Sequence, residues 1–285
     1  MADRHPSLTR SPALAPLLAR GAVLSLFKRP HPDAAFPRTR LVLPEPRVDP
    51  ARLAAYKRIC GFPTGEDALP LTYPHVLGFP AAVRLMSGRD FPLPLPGLVH
   101  TSVRITRHRT VPVTGAHELS VHVEGLAPHR RGTEAALVTE VRTSGGALVW
   151  ESRSTYLARH RTSGRPAPHR EEEPGARRPL PVVEAWHLPG DAGRRYGAAS
   201  GDRNPIHLHP LTARLFGFPR AVAHGMWTVA RCLAAHGLPE AVVVHAEFKA
   251  PVLLPGAVTY GAQDGRFELR GPGGRLHLTG EVRPA

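Results

Sequence analysis

The segment from Tyr196 to His207 carries the side chains best suited to chemistry. Its polar core is Asp202, Asn204 and His207, and Pro205 lies between the last two. A proline disfavours helical backbone at the residue before it, so the segment is predicted to be a turn. Such a turn can bring a carboxylate and an imidazole to opposite sides of one small site. The pattern therefore predicts general acid–base catalysis on one held water molecule, and it leaves open which group takes the first proton.

A second candidate group is the backbone of Gly225. Residues 224–236 form an apolar stretch that is predicted to be a buried helix, with Gly225 at its start. A helix N-terminus presents free N–H groups and the positive end of the helix dipole, and a glycine there lets a ligand approach closely. Gly225 is therefore a candidate oxyanion donor for a carbonyl oxygen that gains negative charge in the transition state.

The same residues allow plainer interpretations. Asp-Arg-Asn-Pro is a common turn in which Asp and Asn hydrogen-bond nearby backbone, and an isolated Asp–His pair is more often structural than catalytic. His207, His209 and His224 could suggest zinc, but no Cys or further acid completes the ligand set, so no metal is predicted. The chain has no Gly-x-x-x-x-Gly-Lys, Gly-x-Gly-x-x-Gly or Gly-x-Ser-x-Gly, which argues against a phosphate loop and a serine hydrolase.

The elements that must position these groups occur twice along the chain. Residues 39–159 and 180–285 each read as a short strand, a short helix, a longer apolar helix and then an antiparallel run of strands. A long apolar helix followed by antiparallel strands indicates an α+β arrangement with a sheet wrapped around the helix. The longer helices are predicted at 74–86 and 224–236, and the strands at 98–109, 117–124, 134–143, 147–157, 242–249, 257–263, 266–270 and 275–282.

The remaining segments are interpreted as an extension and a linker. Residues 1–38 are rich in Pro, Arg and Ala, and within them residues 12–27 are predicted to form an amphipathic helix and not a signal peptide. Residues 160–179 combine Pro, Gly and charge without an apolar period, which is typical of a linker. No stretch approaches 18 uninterrupted apolar residues, so no membrane span is predicted.

The residues of the catalytic segment also carry a resemblance. The run Tyr196-x-x-x-Ser200-Gly-Asp202-x-Asn204-Pro205-x-His207, followed by Ala213, Gly217-Phe218 and Ala223-His224-Gly225-Met226, resembles the hydratase 2 motif of the MaoC-like dehydratase family. Residues 71–80, Leu-Thr-Tyr-Pro-His-Val-Leu-Gly-Phe-Pro, also look like the two-domain bacterial 3-hydroxyacyl-thioester dehydratases of this family.

The resemblance implies a double hot-dog fold and an enzyme of fatty-acid metabolism. In a hot-dog domain a curved antiparallel sheet wraps a long helix. The implied reaction is (R)-specific hydration of trans-2-enoyl thioesters, or the reverse dehydration, which is hydro-lyase chemistry. On the motif positions Asp202 and His207 are the catalytic pair, Asn204 supports their turn and Gly225 supplies the oxyanion N–H. The residues predicted to contact the substrate are Ser200, His224, Met226 and Phe62.

The two halves differ where the chemistry lies. When Tyr56 is aligned with Tyr196, Phe62 falls on Asp202, and the first half has no Asn-Pro-x-His run. We therefore expect one active site per chain. The first half is predicted to be a degenerate hot-dog, residues 39–159, that completes the sheet and helps to line an acyl pocket. The catalytic hot-dog is predicted at 180–285.

The resemblance also implies the partners. The thioester would belong to coenzyme A or to the phosphopantetheine arm of an acyl carrier protein, and no metal or redox cofactor is expected. The two hot-dogs form a pseudo-dimer within one chain, and a further homodimer is left open. The alternative function is an acyl-thioester binding protein, or a partner subunit, that keeps the fold without the chemistry.

The formal net charge of +14 admits an anionic partner. However, the arginines are scattered among Pro, Ala and Gly, as a GC-rich genome would produce. There is no compact basic helix and no basic strand interleaved with aromatic residues, so nucleic acid is not predicted as a partner. The two cysteines, Cys60 and Cys232, form neither a metal spacing nor a disulfide framework, which suits the reducing cytoplasm.

Overall fold

The computed structural model describes residues 6–162 and 178–285. The predicted linker, residues 160–179, falls mostly outside the described residues. The described helices and strands are, in chain order, α1 Leu14–Ser25, β1 Leu41–Pro44, α2 Pro50–Cys60, α3 Tyr73–Met86, β2 Val99–Arg107, β3 His117–His129, β4 Gly132–Thr143, β5 Leu148–Arg159, β6 Val182–Leu188, α4 Ala192–Ser200, α5 Pro205–Leu208, α6 Pro210–Leu215, α7 Gly225–His236, β7 Val242–Phe248, β8 Gly256–Gln263, β9 Arg266–Arg270 and β10 Leu276–Pro284.

The chain divides into two units whose bounds differ from the predicted ones. The described residues of the first unit are 6–47, 73–104 and 111–162, and those of the second are 48–72, 105–110 and 178–285. The segment 48–72 therefore groups with the second unit, although the sequence placed it in the first half. The reason is packing, because α2 lies against α4 and α7. Within this packing the indole Nε1 of Trp227 donates a hydrogen bond to the Ile59 carbonyl at 2.9 Å.

The first unit is an antiparallel sheet with a buried helix on it. Its strands follow the order β1-β3-β4-β5-β2, and α3 packs against β3 and β4. The approach of this helix is close, because a methyl group added at Gly78 would lie 2.7 Å from the side chain of Thr139. Gly78 therefore allows α3 to lie deep on the sheet.

The second unit repeats this design. Its strands follow the order β7-β10-β9-β8-β6, with antiparallel pairing throughout, and α7 packs against β9. The helix directs Val229, Ala230 and Leu233 into the core, where their side chains are buried. Burial of this apolar face, and not intrinsic helix propensity, supplies most of the stability of such a helix.

These elements confirm the α+β prediction. The helices predicted at 74–86 and 224–236 are α3 and α7, the predicted strands are β2 to β5 and β7 to β10, and the helix predicted within 12–27 is α1. Each unit has the helix-on-curved-sheet arrangement of a hot-dog. No helix among the described residues is long and apolar enough to cross a membrane.

Candidate active site

The turn that follows α4 is held by its own polar side chains. Helix α4 ends at Gly201, whose φ of 85° lies in the left-handed region that favours glycine. The Asp202 N–H donates to Ser200 Oγ at 3.2 Å, and the Asn204 N–H donates to Asp202 Oδ1 at 3.1 Å. Asn204 then caps α5 by accepting a hydrogen bond from the Ile206 N–H. The sequence-predicted turn is therefore present, and its polar residues lie together.

His207 lies in α5 with one ring nitrogen engaged. Its Nδ1 is 2.7 Å from the carbonyl oxygen of Val222. A carbonyl only accepts, so Nδ1 carries the proton of the neutral ring and Nε2 carries a lone pair. Burial lowers the pKa of His207, and the nearby Asp202 and Val222 oppose this lowering without cancelling it. The ring is therefore neutral near pH 7, and Nε2 can accept a proton.

His224 lies behind the turn, where it supports Asp202. The residue is only 3% exposed, and its Nε2 is 2.9 Å from the Asp202 carbonyl oxygen and 3.8 Å from Oδ2 of the same residue. Its ring stacks on His207 at 3.7 Å between centroids and packs against Tyr196 at 4.7 Å. Burial, together with His207, lowers the pKa of His224 to about 3, so the ring stays neutral and Nε2–H donates. This position lets His224 support the turn, and its contact with substrate stays a prediction.

The three side chains converge closely enough to hold one water molecule. One side-chain nitrogen or oxygen atom from each of Asp202, His207 and His224 lies within 4.8 Å of the other two. Two groups that hydrogen-bond the same water each lie about 2.7–3.2 Å from its oxygen, so a separation of this size suits one shared water.

The same cluster is poorly arranged for a metal ion. An imidazole binds a metal in the plane of its ring, about 2.0–2.1 Å from the nitrogen. The rings of His207 and His224 are stacked with planes only 25° apart. Two stacked rings have no common point that lies in both planes and close to both nitrogens. The stacked rings therefore suit water better than a metal ion. The sequence argument that no further acid completes the ligand set was wrong, because Asp202 lies beside His207 and His224.

Gly225 is the first residue of α7, as predicted. The first N–H groups of a helix have no partner within it, and the preceding His224 makes no capping bond with its side chain among the described residues. A Cβ added at Gly225 would lie 2.9 Å from the ring of Phe248. The absence of a side chain therefore lets this ring pack directly beside the start of the helix.

Two glycines of α4, which the sequence interpretation missed, admit the catalytic turn. A Cβ at Gly193 would lie 2.0 Å from the carbonyl oxygen of His207, and one at Gly197 would lie 2.8 Å from that of Asp202. Residues four apart share a helix face, so the backbone of the turn packs against the glycine face of α4. The Gly-x-x-x-Gly spacing was a visible signal, but nothing in it indicated which distant backbone it meets.

We expect Gly193→Ala to lower the free energy of unfolding by about 1–3 kcal/mol, as overpacking against backbone does. Neither the helix nor the His207 carbonyl can move away without disturbing the turn. Urea unfolding measures the change. Gly65→Ala is the matched control, because no atom lies within 4 Å of the Cβ it would add. Equal midpoints for the two variants would contradict the close approach.

The other predicted contacts occupy different surroundings. Ser200 is buried and engaged by Asp202, and Met226 is buried in α7. Phe62 is half-buried and stacks parallel to Tyr56 with centroids 6.5 Å apart. It follows Gly61, which ends α2 in the same left-handed conformation as Gly201 ends α4. Among these three, Phe62 alone keeps an accessible surface that could meet a ligand.

A tyrosine pair lies beneath the histidines. The rings of Tyr56 and Tyr196, which the sequence comparison aligned, pack at 5.7 Å between centroids, and the Tyr56 hydroxyl is 2.7 Å from Thr72 Oγ1. Burial raises the pKa of both hydroxyl groups well above 10.0, so neither ionises in the working range. The pair is therefore neutral, and Tyr196 provides the aromatic surface against which the His224 ring packs.

Comparisons with known proteins agree with this fold. The MaoC like domain family matches residues 167–265. Over 275 residues the chain is 40% identical to 3-hydroxyacyl-thioester dehydratase X of Mycobacterium tuberculosis, covering 93% of this chain and 96% of that protein. The crystal structure of HtdX from the same organism is similar at a TM-score of 0.74 and 36% identity, covering 86% of this chain and 100% of that chain.

A more distant structure shares the architecture alone. A MaoC-like dehydratase from Phytophthora capsici is 18% identical, with a TM-score of 0.68 over 88% of this chain and 95% of that chain. Likeness to HtdX over both units confirms the double hot-dog fold. Since identity of 40% extends over nearly the whole of both chains, this protein belongs to the family of MaoC-like dehydratases.

Proposed function

We propose that this protein catalyses the reversible hydration of trans-2-enoyl thioesters to (3R)-hydroxyacyl thioesters in fatty-acid metabolism. The observation that carries the proposal is the pairing of the Asp202 carboxylate with a His207 ring whose Nδ1 proton is held by Val222. This leaves Nε2 free to accept a proton close to the carboxylate. The name of the 40% identical relative, a 3-hydroxyacyl-thioester dehydratase, supports the same reaction.

In the hydration direction the pair manages two proton transfers. One member takes a proton from the water as its oxygen bonds to C3 of the enoyl group. Electron density then moves through the double bond to the thioester carbonyl, and the proton taken from the water is delivered to C2, so the pair returns to its starting state. In dehydration the same two groups act in reverse, as microscopic reversibility requires. Asn204 and His224 keep the carboxylate in place throughout, through hydrogen bonds to the turn.

The negative charge that gathers on the thioester oxygen needs a donor. In this proposal the N–H of Gly225 donates to that oxygen at the start of α7. The positive end of the helix dipole favours the same charge. Backbone donors that are held in place before the reaction stabilise an enolate-like transition state without reorganising.

The pH dependence of the reaction follows from the His207 pKa. The neutral ring is the competent form, and its pKa lies below the ordinary 6.5. We expect kcat/KM to stay level as the pH falls past 6.5, and to decline only as the pH drops through this lowered pKa. Because Asp202 raises the pKa, Asp202→Asn should move the residual activity profile to still lower pH. A pH–rate profile with crotonyl-CoA measures both, and an inflection at or above 6.5 in the wild type would contradict the assignment.

We also propose a carrier for the acyl group and a cellular compartment for the reaction. The thioester belongs to coenzyme A or to the phosphopantetheine arm of an acyl carrier protein, and no metal or redox cofactor takes part. We place the reaction in the cytoplasm, which suits two buried, unlinked cysteines.

Turnover of purified protein tests the proposal. Crotonyl-CoA, longer trans-2-enoyl-CoAs and an enoyl carrier protein are offered in turn, and loss of the enoyl-thioester absorbance is followed. We expect hydration with at least one chain length. Tight binding of every thioester without turnover would contradict the proposal and would favour the alternative, a non-catalytic acyl-thioester binding protein.

A further inference from the structure

An apolar ridge projects from α6, directly after the catalytic turn. It consists of Leu211, Leu215 and Phe216, whose side chains are 62%, 83% and 48% exposed. Leu211 and Leu215 lie one helical turn apart and therefore share the outer face. Ala213 points inward and is fully buried. The two leucines therefore do not belong to the core, because Ala213 is the residue that this helix buries.

The ridge is tied to the segment that carries His207. Helix α6 packs against α5, and the Thr212 hydroxyl donates to the Pro205 carbonyl at 2.6 Å. His209 caps α6 by accepting a hydrogen bond from the Leu211 N–H at 3.2 Å. A partner that docked on this ridge would therefore contact the element that holds the catalytic imidazole.

The segment that carries the ridge, residues 203–220, is positively charged, and its three arginines are called the arginine rim. Arg203, Arg214 and Arg220 are exposed, and residues 203–220 contain no Asp or Glu. Arg214 donates to the Pro219 carbonyl at 3.4 Å and Arg220 to the Pro255 carbonyl at 2.8 Å. Backbone carbonyls orient these side chains without neutralising them. The segment therefore presents an apolar centre with a cationic border.

We propose that this ridge, Leu211, Leu215 and Phe216 with its arginine rim, is the docking surface for an acidic carrier protein that presents the enoyl thioester on a phosphopantetheine arm. This proposal rests on the proposed function, and of the two thioester carriers named there it selects the carrier protein over coenzyme A. An apolar centre inside a polar border is the usual composition of a protein–protein interface. A cationic rim selects an acidic partner and speeds its encounter.

Other occupants fit the ridge less well. A second copy of this chain would bring the same arginines face to face, and like charges across an interface are unfavourable. Coenzyme A is a small molecule, and small molecules bind in concave pockets, whereas the outer face of a helix is convex. The combination of convex leucines and uncompensated arginines therefore favours an acidic protein.

The test compares one enoyl chain on two carriers. For Leu215→Glu and Arg214→Glu we expect kcat/KM with the enoyl carrier protein to fall about tenfold or more, as loss of a central interface contact does, mainly through a higher KM. With the same enoyl group on coenzyme A, both variants should match the wild type, which also shows that they fold. Leu26→Glu is the matched control, because Leu26 is 81% exposed but lies just after α1 in the first unit.

Each other outcome overturns the docking surface. Equal losses with both carriers, no loss with either, or the same loss in Leu26→Glu would show that the ridge does not recognise the carrier protein. A wild type that turns over enoyl-CoA but not the enoyl carrier protein would also overturn it, and would leave the proposed hydration intact. A wild type inactive on both carriers would refute the proposed function itself. A change in oligomeric state in Leu215→Glu, with unchanged kinetics, would assign the ridge to a second copy.

Discussion

Asp202→Asn is expected to lower kcat for hydration by about 10²–10⁴-fold, the usual contribution of a positioned acid–base group. Asparagine matches the shape of aspartate, and its Oδ1 can still accept the hydrogen bond from the Asn204 N–H. The turn should therefore keep its geometry. An amide cannot take or return a proton, so the pair loses one of its two proton-transfer groups. Steady-state rates with crotonyl-CoA measure the loss, and thermal unfolding checks that Tm is unchanged.

A matched substitution separates chemistry from a general effect of losing a carboxylate. Asp191 precedes α4 in the same unit, and its side chain makes no capping hydrogen bond among the described residues. Asp191→Asn should leave kcat unchanged. If Asp202→Asn kept more than about a tenth of the wild-type kcat, a proton-transfer role for this carboxylate would be untenable.

Gly225→Pro is expected to lower kcat/KM by about 10²–10³-fold relative to Gly225→Ala, as loss of one oxyanion donor does. Both variants add a carbon beside the Phe248 ring, so they share any cost of displacing it. Only the proline removes the N–H. The backbone accepts proline here, because the first helical position tolerates it and His224 is extended, with φ −64° and ψ 134°. The ratio of the two variants therefore isolates the hydrogen bond.

The comparison is made at equal stability. Urea unfolding of both variants should give similar midpoints, because the position donates no hydrogen bond within the helix. Rates are then measured with one enoyl-CoA at low substrate concentration. Similar kcat/KM values for the alanine and proline variants would show that the oxyanion is bound elsewhere.

Much of the fold follows from local patterns in the chain. The apolar stretch at 224–236 predicts α7 because a buried helix needs an apolar face, and alternation predicts the strands of each sheet. The catalytic turn follows from Pro205, which excludes helix at Asn204. The duplication is also visible in the sequence, because aligning Tyr56 with Tyr196 pairs Gly61 with Gly201. In the structure these two glycines end α2 and α4 with φ of 81° and 85°.

The rest depends on contacts between distant residues, which local patterns do not specify. Helix α2 joins the second unit through packing such as that of Tyr56 on Tyr196, at a sequence separation of 140 residues. The stacking of His224 on His207 and its hydrogen bond to the Asp202 carbonyl likewise join residues that are far apart in the chain. Gly193 meets the carbonyl of His207 only once α4 and α5 are folded together. In each case the residue type was visible in the sequence and its neighbour was not.

The most direct test of the central claim is the configuration at C3 of the product formed from crotonyl-CoA. Wild-type protein is incubated with the substrate, and the hydroxybutyryl-CoA is resolved by chiral chromatography beside the Asp202→Asn variant. We expect (3R)-3-hydroxybutyryl-CoA from the wild type and nearly none from the variant. A (3S) product, or equal amounts of product from the two proteins, would contradict it.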